Sequence, residues 1–209
     1  MKLYTIQVGP IGTNCYIMKN EENNEGLIVD PGADASRILH AVAELKLTKV
    51  DGILVTHGHS DHIGALHEVR MAVKAPVYMS TIDAPTLADP EANLSRYMGE
   101  DVVTFAPEKL LNDGDVINVA GFEFKILHTP GHTPGGICFY NEANTLCFVG
   151  DTIFCESIGR TDFPGGSYKQ ILNSIKTKIL TLDSQIRLLP GHMTATSVGW
   201  EKKRNPFLQ

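Results

Sequence analysis

Cysteine is scarce: four residues in 209, with no CxxC spacing among them. That excludes a disulfide-stapled scaffold, and the thiols are expected to be reduced and mostly buried. Basic residues are outnumbered, 18 Lys and Arg against 24 Asp and Glu, for a formal charge of −6. Nucleic-acid binding needs a basic footprint, so no such partner is expected. The one basic cluster, Lys202-Lys203-Arg204, reads as a solvated face. No apolar run is long enough to span a bilayer, and residues 1–8 lack an apolar stretch of signal-peptide length; no membrane association is expected, and the expected compartment is the cytoplasm. Repeats, low-complexity tracts and Ser/Gly linkers are absent. A chain that is 43% hydrophobic and 20% charged is then expected to form one domain over residues 1–209 around a sizeable core.

What the chain does have is concentrated. Thr56-His57-Gly58-His59-Ser60-Asp61-His62 puts three imidazoles and a carboxylate within six consecutive residues, directly after the apolar run Ile53-Leu54-Val55. Imidazole nitrogen and carboxylate oxygen are donors that zinc and iron favour, and neutral imidazole coordinates at physiological pH. His57 and His59 are one residue apart, so in a near-extended loop their side chains point the same way and can share an ion. Asp61 and His62 follow as a second pair where the chain turns into a helix. Leu66, Val69 and Val73 at i, i+3 and i+7, with Pro76 just beyond, predict that helix. The motif is therefore expected on a strand-to-helix loop, serving two metals rather than one.

Four side chains from one loop rarely complete two coordination shells. Three further candidates each follow an apolar run ended by Gly or Pro-Gly: His132 in Thr-Pro-Gly-His, Asp151 in Gly-Asp-Thr and His192 in Pro-Gly-His. Ligands at strand ends gather along one sheet edge, where α/β sheets carry their sites. Singly each reads as a turn residue or a satisfied polar group; beside HxHxDH they support one another. Pro130 and Gly131 exclude a regular helix at His128. That residue, with His40 and His67, is expected to be a core or supporting imidazole.

Asp34 is expected to cap a helix with Ile38, Val42 and Leu45 on one face, and Ser167 with Gln170 forms a capping box before Ile171, Ile175 and Ile179. With strands between, periodicity licenses a mixed α/β domain. Residues 81–118 are the least regular part.

The order HxHxDH, Pro-Gly-His-Thr, Gly-Asp-Thr, Pro-Gly-His resembles the metallo-β-lactamase superfamily, and within it the compact glyoxalase II-like metallohydrolases. Further matches are Gly-Thr-Asn-Cys-Tyr (12–16), Asp-Pro-Gly-Ala (30–33), Ser-Ile-Gly-Arg-Thr-Asp-Phe-Pro-Gly-Gly (157–166) and Glu-Lys-Lys-Arg-Asn-Pro-Phe (201–207). The resemblance implies an α/β fold of four layers, an αββα sandwich. It implies that His57, His59 and His132 bind one metal, that Asp61, His62 and His192 bind the second, and that Asp151 bridges them. Met193 stands where the family commonly has Gly, which alters the pocket wall rather than the ligation.

Two adjacent divalent cations, with zinc expected first and iron or manganese as alternatives, lower the pKa of a shared water, and the resulting hydroxide can attack an acyl carbonyl. Asp61 and Asp151 are the catalytic carboxylates in this reading. A thioester suits such a site because a thiol leaves as thiolate without a proton donor. The expected substrate is thus a small-molecule acyl thioester of the hydroxyacylglutathione type. Arg160 is either a contact for a substrate carboxylate or one half of an internal salt bridge. Cys155, four residues after Asp151, is placed to line the pocket. The rival readings are a mononuclear iron persulfide dioxygenase using His57, His132 and Asp151, another hydrolase of the family such as a lactonase, and a non-catalytic metal-binding protein.

Overall fold

Burial rises sharply between the first strand and the second. β1 (Lys2–Val8) is mostly exposed and pairs antiparallel with β2 (Thr13–Lys19), which is buried from Thr13 through Met18. β3 (Glu25–Val29) returns antiparallel to β2, and α1 (Ala35–Glu44) carries the chain to β4 (Lys49–Leu54), parallel to β3. The runs Leu27-Ile28-Val29 and Ile53-Leu54-Val55 are fully buried, as expected of parallel strands covered on both faces. α2 (Ser60–Ile63) and α3 (Leu66–Val73) lead to β5 (Val77–Ser80), parallel to β4, and β6 (Lys109–Leu111) completes a sheet ordered β1-β2-β3-β4-β5-β6. The computed structural model describes residues 1–209, and all of this sheet lies in one of two compact units, Met1–Leu111 with Asn118–Phe122.

The helical faces are those the apolar spacing predicts. Ile38 of α1 is buried, with Val42 and Leu45 packed partly buried against the same core as Leu66 and Val69 of α3. Burying each such side chain contributes roughly 1.5–3 kcal/mol. The cap differs in kind: Asp34 stands at the N-cap of α1 in the left-handed region, with its backbone carbonyl accepting from the Arg37 and Ile38 N–H groups, but its side chain makes no cap bond. Its carboxylate instead accepts from the Gly9 N–H (3.1 Å) and the Arg37 guanidinium (2.9 Å), and these two donors hold it below the usual carboxylate range. Residues 81–118 contain two 3-10 turns, Ala84–Ala88 and Ser95–Met98, tied by the fully buried Asn93. Its amide donates to Thr86 O and Val102 O.

The second unit comprises Asn112–Ile117 and Glu123–Gln209. β7 (Val116–Val119), β8 (Phe122–His128), β9 (Ile137–Asn141) and β10 (Leu146–Gly150) precede a two-residue ribbon, β11 (Ile153–Phe154) with β12 (Ser157–Ile158). α4 (Tyr168–Ser174) widens into a π turn over Ile175–Ile179 before β13 (Arg187–Pro190), β14 (Thr196–Ser197) and α5 (Val198–Arg204). The sheet order is β14-β13-β10-β9-β8-β7, with β10 and β13 parallel. Along β8, Phe122, Phe124 and Ile126 are buried between exposed Glu123 and Lys125. The capping box is present, Ser167 Oγ accepting from Gln170 N at 3.3 Å, and Ile171, Ile175 and Ile179 pack with Cys138, Cys147 and Leu188.

The residues 201–207 have a structural reason in this unit. Glu201 is fully buried, and its carboxylate accepts from the Thr196 hydroxyl, the Glu156 N–H and the Asn205 amide. A buried carboxylate so satisfied anchors the C-terminal helix to β12 and β14. No helix is long and apolar enough to cross a membrane.

Candidate metal centre

In the first unit, HxHxDH leaves the end of β4 and enters α2, the strand-to-helix loop expected of it. His59 is extended (φ −69°, ψ 146°) immediately before α2. The His57 and His59 ring centroids are 4.8 Å apart, and those of His57 and His62 are 4.1 Å apart. His57, His59 and His62 are buried, whereas Asp61 is half-buried. Three imidazoles this close and this dry need a shared reason to be there.

Asp30 organises the group from outside it. Its Oδ1 accepts the Thr56 N–H at 2.8 Å, and its Oδ2 accepts the Thr56 hydroxyl at 2.7 Å and His62 Nδ1 at 3.0 Å. Because the Thr56 proton goes to Asp30, Thr56 Oγ1 is left to accept from His57 Nδ1, 3.1 Å away. Both rings thereby keep hydrogen on Nδ1 and a lone pair on Nε2, the state a metal ligand needs. His62 Nε2 then lies 3.3 Å from Asp61 Oδ2, which also accepts from the Thr13 hydroxyl at 2.9 Å. Two lone-pair atoms at that distance repel unless a cation or proton lies between them. This donor set fits a divalent cation. Gly32 permits the approach: a Cβ there would sit 1.6 Å from the Asp61 carbonyl oxygen.

Residues 83–93 buttress the same loop. The Gly58 N–H points to Asp83 Oδ2 (3.4 Å), and the Ser60 N–H donates to Asn93 O at 2.7 Å. Beside Asp61, a cavity of about 250 Å³ is walled by Val8, Ile11 and Ala65 and by the carboxylates of Asp34, Glu68 and Glu100.

In the second unit, β8, β10 and β13 end just before His132, Asp151 and His192. The Nε2 atoms of His132 and His192 each lie 3.5 Å from Asp151 Oδ2. His132 Nδ1 donates to the Arg160 carbonyl at 2.8 Å; a carbonyl can only accept, so His132 too turns an Nε2 lone pair toward the carboxylate. The support here is main chain: a Cβ on Gly159 would meet the Asp151 carbonyl oxygen at 1.8 Å. The Phe154 ring stands edge-on to His192, centroids 6.0 Å apart.

Of the two expectations for Arg160, the internal salt bridge is present. Its Nε and Nη2 donate to the two Asp162 oxygens at 2.8 and 2.7 Å, and its guanidinium lies 4.0 Å over the Phe163 ring. Those hydrogen bonds hold the Asp162 carboxyl down at about 2. His128 joins neither cluster; its Nε2 donates to Pro134 O at 2.9 Å. His40 and His67 are exposed, contrary to the expectation of buried or supporting rings, and His67 stacks on Phe105 at 4.5 Å. Cys15, Cys138 and Cys147 are buried, and burial pushes the Cys15 and Cys147 thiols up. Met193 is 53% exposed with φ 67°. Asp30, Thr56 and Thr13 are the functional residues that donor counting missed. Their signals were the Asp-Pro-Gly-Ala and Gly-Thr-Asn-Cys-Tyr segments and the Thr before His57.

Comparison with known proteins adds four findings. The sequence profile of the metallo-beta-lactamase superfamily matches residues 8–192. The chain is 36% identical over 210 residues to the hydroxyacylglutathione hydrolase GloC of Haemophilus influenzae, covering 100% of this chain and 98% of that one. Among solved structures, it matches the BLEG-1 B3 metallo-beta-lactamase with a TM-score of 0.95 at 39% identity over 100% of both chains. It matches TTHA1623, solved in a di-iron-bound form, with a TM-score of 0.85 at 32% identity over 98% of this chain and 100% of that one.

Proposed function

Because this chain belongs to the metallo-beta-lactamase superfamily and has its fold of two mixed sheets with helices, we propose that it is a hydrolase of acyl thioesters dependent on two divalent cations. The observation that carries this reading is the grouping of donors. In the first unit His57, His59 and His62 crowd together beside Asp61, and in the second the Nε2 atoms of His132 and His192 each lie 3.5 Å from Asp151 Oδ2. The resemblance distributes these residues over two shells, His57, His59 and His132 in one and Asp61, His62 and His192 in the other, with Asp151 common to both. Zinc is the first candidate for a shell this rich in imidazole, and the di-iron form of TTHA1623 supports iron as the alternative.

Such a pair of cations supplies a Lewis acid for a carbonyl oxygen and a water whose proton is lost near neutral pH. The protein's part is preorganisation. Asp30 keeps His62 directly, and His57 through Thr56, in the ligating tautomer, and the Arg160 carbonyl does so for His132. Asp61 and Asp151 would supply the negative charge to hold the cations, and the Thr13 hydroxyl orients Asp61. No serine or cysteine nucleophile enters the scheme. A thiol with a pKa near 8.5 departs as thiolate unaided, whereas an amine would need a proton donor; the thioester is therefore the matching substrate. The match to a hydroxyacylglutathione hydrolase supports the same class.

The test is elemental analysis and thioester hydrolysis, S-lactoylglutathione included, on one preparation. Two equivalents of metal with hydrolysis that chelation removes and metal restores is the expected result. Oxygen uptake with a persulfide, dependent on ferrous iron and without thioesterase activity, would overturn it.

A further inference from the structure

Arg160 begins at the metal cluster and ends in an ion pair. Its carbonyl accepts a hydrogen bond from His132 Nδ1–H, so its side chain leaves the backbone at a residue that touches a proposed ligand. The guanidinium is 58% exposed and Asp162 67% exposed. Asp162 grips it through Nε and one Nη2 hydrogen, while the Phe163 ring lies against the guanidinium. Arg has five N–H donors in a rigid fork, so three N–H groups remain to receive a ligand. They belong to a pair with no net charge. A ligand carboxylate arriving there would compete with Asp162 for the fork and be repelled by it, whereas a carbonyl or hydroxyl oxygen would meet only the spare donors.

We infer that Asp162 is a specificity-determining residue: it neutralises Arg160, so that the substrate region reaching this point is an uncharged hydrogen-bond acceptor and not a carboxylate. This rests on the thioesterase reading above and narrows its substrate class to thioesters neutral at that end.

The experiment compares two thioester probes with the same acyl group, whose thiol carriers differ in one position: a free carboxylate or the corresponding primary amide. The metal-loaded wild type should hydrolyse the amide probe at least as efficiently as the carboxylate probe. Asp162→Asn keeps one acceptor for the guanidinium while removing the charge, and Asp162→Ala removes both. In each, the carboxylate-to-amide ratio of kcat/KM should rise about tenfold, a charge-assisted contact replacing a contested one. The change should reside in KM, and the double variant Asp162→Asn with Arg160→Gln should not show it. A ratio unmoved in the single variants, an equal rise in the double variant, or a wild type already preferring the carboxylate tenfold would each overturn the inference. Wild type that hydrolyses neither probe would sink the thioesterase reading instead. Calorimetric binding of the two matching thioethers would then decide the role of Asp162, with the same expected shift in affinity ratio and the same overturning results.

Discussion

The two donor clusters are held by different means. In the first, one carboxylate outside the ligand set, Asp30, gathers the Thr56 N–H and hydroxyl and His62, and through Thr56 reaches His57. In the second, His132 leans on a main-chain carbonyl, and Asp151 is seated against Gly159. A scaffold of side chains can be removed by one substitution, while a scaffold of backbone persists through side-chain exchange. The first cluster is therefore exposed to point mutation outside its donor residues, and the second is not.

The largest effect should come from a ligand itself. Asp151→Ala should lower metal content from two equivalents to one or less, measured by elemental analysis, because its carboxylate is the charge proposed to be common to both ions. Full occupancy in that variant would dismiss the bridging role. Next comes the hub. Asp30→Asn substitutes an N–H₂ for one of the oxygens that accept three donors, and metal affinity or activity should fall about 10- to 100-fold; an unchanged affinity would erase the contrast between the clusters. Arg160→Ala should leave metal content as in wild type, since the His132 contact is to the main chain. Loss of an equivalent there would show the second cluster to depend on side chains after all.

The smallest effect concerns acid. Asp51 accepts the Ala120 N–H at 2.7 Å and the Lys49 ammonium, and these lower its pKa in the folded state. A depressed folded pKa gives stability that is present above the unfolded value, near 3.9, and lost as pH falls through the folded one. Asp51→Asn should thus cost about 1 kcal/mol at neutral pH, with the gap to wild type closing below pH ~4. Denaturant titrations at the two pH values measure both. A gap that stays constant would mean that the carboxylate charge is irrelevant there.

Seven ligand candidates could be nominated from the sequence because coordination needs particular donor atoms, and those atoms belong to few residue types. His132, Asp151 and His192 could be located because each follows an apolar run ended by a turn. The helix faces of Ile38, Leu66 and Ile171 were legible for the same reason: periodicity reports burial. Asp30 was not, since a carboxylate before Pro-Gly reads as a turn residue and its partner lies 32 positions away. The side chain of Asp34 failed as a cap because its carboxylate had better offers from Gly9 and Arg37, neither of which local pattern weighs. His40 and His67 were placed inside by residue type alone, yet both stand at the surface. Arg160 left two options, and Asp162 two residues on decides between them by geometry that spacing does not contain.

Three of the four thiols are sealed in the cores, and Cys155 is only partly covered. An alkylating dye applied to the native protein should therefore label a single position, Cys155, so the chain carries one native attachment point while its other thiols stay sealed.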